Sequence, residues 1–287
     1  MRINAYVLAG DPAWTAESVE SYYPFVDRLV VSYDEENLSW SGHELEVPEA
    51  LRRLEACDPG GKIVPLPGRW SAPDRFALDR ETEQRQCALD AASEGADWVV
   101  QLDTDEVLGS PERFLMSLKR ADAEGFDALH YPSRWWYQRA GAGSDRVLER
   151  RRRFGGVRAE YPGAIAVRAG TRLSHCRQAD VPHLRVDFAA TSTDPAHPAD
   201  AVVHDVVTPD EGIIHLSWVR TAEQMERKRL VSGHAGRVDL GEEIRRWRAA
   251  YRHPRLTAAL GFVHRHPDRW LRVVSNPLDL RSGDRLP

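Results

Sequence analysis

Short apolar runs alternate with amphipathic stretches over the first 131 residues. Residues 2–8 alternate and then run apolar, which predicts a strand stopped by Ala9-Gly10-Asp11. Thr15 caps a helix through about Phe25, and Asp27 to Asp34 reads as a second strand. Pro48 opens a helix with Leu51 and Leu54 on one face; Gly60-Gly61 ends that unit, and Lys62 to Leu66 is a third short strand. Leu78 to about Ser93 predicts a strong helix with Glu81 and Arg85 one turn apart, closed by Gly95. Asp97 to Leu102 is a fourth strand. Ser110-Pro111-Glu112 starts a helix with proline at its first position, ending near Gly125, and Phe126 to Tyr131 is the next strand. Alternation of this kind predicts an α/β fold, a mainly parallel sheet with helices on its faces.

The pattern changes after residue 131. Residues 132–214 carry short apolar patches among Gly, Pro, Arg and His, which predicts a small antiparallel or mixed region with long loops. Thr221 to about Val231 is a helix. Leu240, Ile244, Trp247 and Tyr251 form one helical stripe, and Leu256, Leu260 and Val263 another. No internal repeat interrupts this, so the chain parses as one domain with a helical extension that frays at 281–287.

Composition narrows the function classes. The 287 residues suffice for one large α/β domain. With 42% apolar and 29% charged residues the chain is of ordinary globular composition. A net charge of −5 argues against a general nucleic-acid binder. No apolar run approaches the ~18 residues of a membrane span, and the start lacks the pattern of a secretory signal. Cys57, Cys87 and Cys176 are far apart and form no C-x-x-C, which favours a reducing, cytoplasmic setting.

Several familiar motifs are missing: G-x-G-x-x-G after the first strand, G-x-x-x-x-G-K-[ST], G-x-S-x-G and H-E-x-x-H. What the strands do have is acidic ends. In an open α/β sheet ligands bind outside the carboxyl ends of the strands, and here the first ends at Asp11, the second at Asp34, the fourth at Asp103 and Asp105. In an extended segment residues i and i+2 point the same way, so Asp103 and Asp105 can present two carboxylates to one point. Such oxygen ligands suit Mg²⁺, which usually shares its shell with substrate phosphates.

The stretch from Glu83-Gln84-Arg85-Gln86 through Ala88-Leu89, followed by Ala96-Asp97-Trp98-Val99-Val100-Gln101-Leu102-Asp103-Thr104-Asp105-Glu106, resembles the core of family 2 glycosyltransferases of the GT-A (Rossmann-like) fold. Gln86 stands where that family usually has asparagine. The block His215-Leu216-Ser217-Trp218 with Glu223, Lys228, Ser232 and His234 is similar to the late H-x-S-[WY] run of several GT-A enzymes, family 17 N-acetylglucosaminyltransferases included. The resemblance implies a metal-dependent transfer of sugar from a nucleotide-diphosphate donor to a carbohydrate or small-molecule acceptor, with inversion. It implies a GT-A domain over 1–235, with a nucleotide-sugar half at 1–131, an acceptor half at 132–235 and an extension at 236–287. Mn²⁺ or Mg²⁺ would sit on Asp103, Asp105 and His215 or His234. Leu8, Ala9, Gly10, Asp34, Arg85, Asp103, Thr104 and Lys228 would hold the donor, with Asp34 beside the base. Trp135, Trp136 and Trp218 are the expected acceptor-binding residues.

For the general base that inversion requires, Val203-His204-Asp205 looks like the V-H-[ED] step of some family 2 enzymes, which selects Asp205 over Glu160, Asp187, Asp210 and Glu211. Arg245, Arg246, Arg248, Arg252 and Arg255 flank the last apolar stripe, a pattern that suits a membrane surface, although Glu242 and Glu243 suit packing on the domain equally. Two other functions compete. Asp103-Thr104-Asp105-Glu106-Val107 fits the motif of haloacid-dehalogenase-type phosphatases, but follows the fourth strand where that family expects it after the first. A non-catalytic sugar-binding protein of GT-A type is the other.

Overall fold

The computed structural model describes residues 1–141, 144–153, 155–197, 200–231 and 240–276. The chain begins with the predicted order of elements, although Trp14 and not Thr15 stands at the cap of the first helix, where no side chain caps it. Strand β1 (Ile3–Leu8) leads to α1 (Thr15–Tyr22), β2 (Arg28–Asp34), α2 (Val47–Ala56), β3 (Ile63–Gly68), α3 (Ala77–Ser93) and β4 (Trp98–Gln101). Next come β5 (Glu106–Leu108), α4 (Pro111–Ala123) and β6 (Ala128–His130). Helix α1 stops at Tyr22 because Pro24 follows, and a 3-10 turn over Tyr23–Phe25 completes the predicted segment. Helix α4 starts as its sequence dictates: Ser110 Oγ accepts the Arg113 N–H, and Pro111 occupies the first turn.

Eight strands form the main sheet in the order β11-β10-β6-β9-β4-β1-β2-β3. These include β9 (Ala166–Arg168), β10 (His183–Asp187) and β11 (Asp205–Val206). All neighbours run parallel except β9, which is antiparallel to both β4 and β6. The interiors of β1 and β2 are buried from end to end, Ile3–Val7 and Leu29–Ser32, as strands covered on both faces must be. One face packs on α1, α2 and α4 through Val19, Tyr22, Leu54, Phe114 and Leu118; the other packs on α3 through Ala88, Leu89 and Ala92. This is the mostly parallel α/β architecture that the hydrophobic pattern predicts.

The middle region departs from expectation. It does not form one separate antiparallel patch, because β9, β10 and β11 return to widen the main sheet. Its remaining strands, β7 (Ser133–Arg139), β8 (Arg146–Arg150) and β12 (Ile213–His215), join β5 and the late β13 (Leu271–Ser275) in a second sheet ordered β13-β8-β7-β12-β5. Strand β5 was invisible in the sequence, being three residues long directly after an acidic turn. Beyond α5 (Ala222–Val231), the extension contains the expected α6 (Leu240–Arg252) and α7 (Pro254–Leu260), but it also returns as β13 along β8. Ile244, Trp247 and Ala250 of α6 pack on Tyr137, Leu148, Met225 and Leu271, so the extension is built into the second sheet's core.

A stacked imidazole pair lies in the main sheet, His130 of β6 on His183 of β10 with ring centroids 4.1 Å apart. Burial, reinforced by the charges of His183 and Arg185, pushes His130 down to about 3, and burial also lowers His183. An unfolded histidine titrates near 6.5, so below that pH the unfolded chain binds a proton that the folded chain refuses. Stability should therefore be intact above about pH 6.5 and fall as pH drops toward about 3. The expected slope per site is at most ~1.4 kcal/mol per pH unit. Urea titrations at stepped pH should show a shallower fall for His130→Phe than for the parent; identical slopes would refute the assignment.

Candidate functional site

Strand order fixes where the site forms. From β1 the chain moves outward to β2 and β3, then returns to place β4 on the other side of β1. The crevice at such a reversal opens beyond the carboxyl ends of β1 and β4. A cavity of about 1160 Å³ lies there. Its walls include Leu8, Ala9, Gly10, Asp34, Arg85, Asp103, Thr104, Asp105, Trp135, His215, Trp218 and Lys228. Residues as far apart in sequence as Leu8 and Arg269 are thus brought to one space.

The second sheet explains how the late histidine meets the acidic pair. Strand β5 begins one residue after Asp105 and pairs antiparallel with β12, setting His215 opposite Glu106. On its other edge β12 pairs with β7, setting His215 opposite Trp135. The Leu216 N–H donates to the Asp105 carbonyl at 2.8 Å. His215 Nε2 then lies 3.6 Å from Asp105 Oδ1, and its ring stacks on Trp135 at 4.7 Å. The Arg150 guanidinium lies over the Trp135 ring, 4.0 Å from its centre.

Three acids and four cations are packed around this point. Asp103 pairs with Arg85 at 2.9 Å, and Arg85 is itself braced by Glu81 at 2.8 Å. Asp105 takes Arg220 at 2.9 Å and has Lys228 Nζ at 3.7 Å. Glu106, wholly buried, accepts from Arg177 at 2.6 Å and from the Asp103 N–H at 3.0 Å. Burial alone would raise both aspartates; Arg85 and Arg177 outweigh it at Asp103, and Lys228, His215 and Arg220 at Asp105, so both carboxyls are held below the usual range. Burial and the Arg220 charge lower the Lys228 amine. Its Nζ donates to Ser217 Oγ at 2.8 Å.

Arg177 and Arg220 were not found from the sequence. Each is a single arginine in an arginine-rich chain, with no motif around it. Only the buried acids they serve, Glu106 and Asp105, hinted that such partners were needed. Arg220 bridges two strand ends, reaching Asp11 after β1 at 2.8 Å as well as Asp105 after β4.

Other expectations need correction. Asp34 lines the cavity, but its carboxylate is committed to the backbone: it accepts the N–H groups of Glu36, Leu38, Trp70 and Ser71 at 2.7–3.2 Å. It shapes the wall and has no lone pair left for a base. Trp136 faces the opposite side of β7 from Trp135 and is fully buried among Trp14, Val107, Val147 and Ile214. Trp218 does reach the cavity, stacked on Tyr137 at 5.6 Å. Asp205 lies outside the cavity on the edge strand β11, paired with Arg113 of α4 at 2.8 Å and Arg120 at 3.9 Å. A carboxylate so placed cannot take a proton from anything bound in the crevice. His234 lies outside the described residues.

Among the described residues no three His, Cys, Asp or Glu side chains converge on one metal position. Asp105 and His215 do face each other at a separation that two ligands of one ion adopt, and the His215 Nδ1 has no hydrogen-bond partner. The donor set therefore fits a divalent ion only if the bound substrate completes the shell, which is the ordinary situation for Mg²⁺.

No family model matches the chain, and no curated protein matches it. Among solved structures it is similar to 4-diphosphocytidyl-2C-methyl-D-erythritol synthase from Anaerococcus prevotii, at 11% identity over 58% of this chain and 70% of that one, with a TM-score of 0.32. It is also similar to a CMP:2-keto-3-deoxy-manno-octonic acid synthetase complexed with CTP, at 14% identity over 58% and 73%, with a TM-score of 0.31. A third is mannose-6-phosphate isomerase from Helicobacter pylori, at 12% identity over 46% and 51%, again with a TM-score of 0.31. Likeness at this level says nothing about activity.

The buried pairs carry a direct expectation. Arg177→Ala strands Glu106 in the interior without a cation, and breaking such a pair from one side costs about 3–5 kcal/mol. Arg229→Ala, which removes only an exposed pair with Glu226, should change stability by less than about 1 kcal/mol. Equal urea midpoints for the two variants would contradict the arrangement.

Proposed function

We propose that this chain is a glycosyltransferase of GT-A type, moving a sugar from a nucleotide-diphosphate donor to a hydroxyl acceptor. The observation that carries the reading is the convergence of Arg85, Asp103, Asp105, His215 and Lys228 on one crevice. These residues come from both resemblance blocks, and they meet where an α/β sheet binds ligands. The cavity is of a size to hold a nucleotide sugar.

In this reading the donor base lies against Leu8, Leu38, Trp40 and Leu45, the apolar part of the wall that Asp34 organises. The diphosphate faces Arg85 and Lys228. Lys228 has spent one N–H on Ser217, which leaves donors for phosphate oxygens, and Arg85 Nη1 has no partner. A divalent cation held by Asp105 and His215 would act as a Lewis acid toward the leaving diphosphate. The acceptor approaches from the second sheet, where Trp135 and Trp218 offer aromatic faces to a sugar ring. Its hydroxyl attacks the anomeric carbon as the bond to phosphate breaks, and its proton passes to a carboxylate. Asp205 being elsewhere, the acids on that wall are Glu243 and Asp268. Arg150 and Arg158 offset the burial of Asp268 and hold it below the usual range, which weakens it as a base.

The phosphatase reading needs a free nucleophilic aspartate at the start of the motif. Asp103 is instead clamped by Arg85 with Arg177 behind it, which disfavours that chemistry. A binding protein without activity is separated by turnover.

Thermal shift with UDP, GDP and CDP, each with and without Mn²⁺, tests the reading. With the metal, one nucleotide should stabilise the protein by ~2.7 kcal/mol at a hundred times its Kd, and by less at the same concentration without it. Arg85→Lys should weaken that nucleotide, since a guanidinium fork matches phosphate oxygens and an amine does not. Asp105→Asn should abolish the metal increment and release of nucleotide from the sugar donor. Asp205→Asn should turn over within about threefold of the parent, whereas loss of a true general base costs 10²-fold or more. No response to any nucleoside diphosphate would end the proposal.

A further inference from the structure

The extension carries a surface that neither the cavity nor the core uses. Arg246 pairs with Glu242 and Glu243 and Arg248 with Glu226, but from residue 249 to 267 the chain carries Arg252, Arg255 and Arg265 and no acid. Helix α7 and the 3-10 turn that continues it, Gly261–Val263, place Leu256, Leu260 and Val263 at i, i+4 and i+7, one face of the helix. All three stand out in solvent, at 56%, 49% and 58% exposure, and Tyr251 near the end of α6 is also exposed. Large aliphatic side chains grouped this way and left in water mark an interaction surface. Around them Arg252, Arg255 and Arg265 are exposed, and none of the three has an ion-pair partner among the described residues.

We propose that this face docks on an anionic lipid surface. Two features on the molecule favour lipid over other occupants. The unpaired arginines supply positive charge without counter-charge, which an anionic headgroup layer complements. The aliphatic ridge between them has no use against a phosphodiester backbone but suits the boundary of headgroups and acyl chains, as with amphipathic helices that lie in the interface. A second copy docking through the same face would bring arginine against arginine. The face also has a defined position: the chain runs from Val263 directly into His266, Asp268 and Arg269, which line the cavity. Docking would therefore hold the second-sheet side of the crevice close to the lipid. The proposal stands on the charge and exposure of this face and does not need the reading of the cavity to be right.

Sedimentation with vesicles tests it. The full chain should pellet with vesicles of phosphatidylglycerol and phosphatidylcholine in equal parts and stay in solution with phosphatidylcholine alone. Raising salt to about 1 M, where the screening length falls to ~3 Å, should release it. Leu256→Glu with Leu260→Glu should lower binding at least tenfold, and so should Arg252→Glu with Arg255→Glu. Both pairs are at the surface, so melting temperatures should match the parent, and nucleotide-induced thermal shifts report the cavity separately. Failure to bind anionic vesicles overturns the proposal. So does equal binding by the glutamate variants, a concentration-dependent dimer that those variants abolish, or preference for duplex DNA over vesicles.

Discussion

Neutralising Asp103, Asp105 and Glu106 in the interior is the constraint around which the rest is arranged. Three acids in four residues, turned inward at the end of a buried strand, cannot stay ionised without cations close at hand. The chain supplies them from widely separated places: Arg85 from the helix before β4, Arg177 from the loop after β9, Arg220 and Lys228 from beyond β12. Each of these pairings pins one segment against the turn after β4. The main sheet, the second sheet and α5 are held in register with one another by charge as much as by apolar packing.

The same arrangement gives the crevice an unusual density of buried charge. Carboxylates held ionised by buried cations and an amine lowered by burial are the kind of perturbed groups that gather where ligands bind. Here they are fixed before any ligand arrives. Tyr6 and Gln101 beneath them are hydrogen-bonded to each other at 2.8 Å, and Ser18 donates to the Asp103 carbonyl at 2.9 Å. The floor of the crevice therefore has little freedom to collapse when its charges are exposed to solvent.

How much of this the sequence disclosed depends on the range of the interaction. Elements set by local pattern were legible: the Pro111 helix start, the apolar strands β1, β2 and β4, and the stripe at Ile244 and Trp247. The acidic pair and Arg85 were legible because they lie in one contiguous block. What escaped was set by pairing between distant segments. Three-residue strands such as β5 and β9 have no period to detect. The choice between Trp135 and Trp136 depends on which face of β7 meets the cavity, which adjacent tryptophans cannot reveal. Asp205 was misplaced because a short V-H-D step reads the same at a sheet edge as in a crevice. Asp34 reaches the cavity wall, but its four backbone donors come from loops that local pattern does not join.

The ladder between β5 and β12 has an evolutionary consequence. Side chains in a strand alternate faces, so a shift of one residue turns each to the other side. His215 looks toward Asp105 only because Ile213, Ile214 and His215 sit opposite Leu108, Val107 and Glu106. Gly109 locks that register: its N–H donates to the Gly212 carbonyl at 3.0 Å, and a Cβ there would stand 2.2 Å from the Asp210 carbonyl oxygen. Insertions and deletions can accumulate in the long connections between these strands and leave the crevice unchanged. A single lost or gained residue within either strand would turn the imidazole to the opposite face, so only length changes in the loops keep His215 on Asp105.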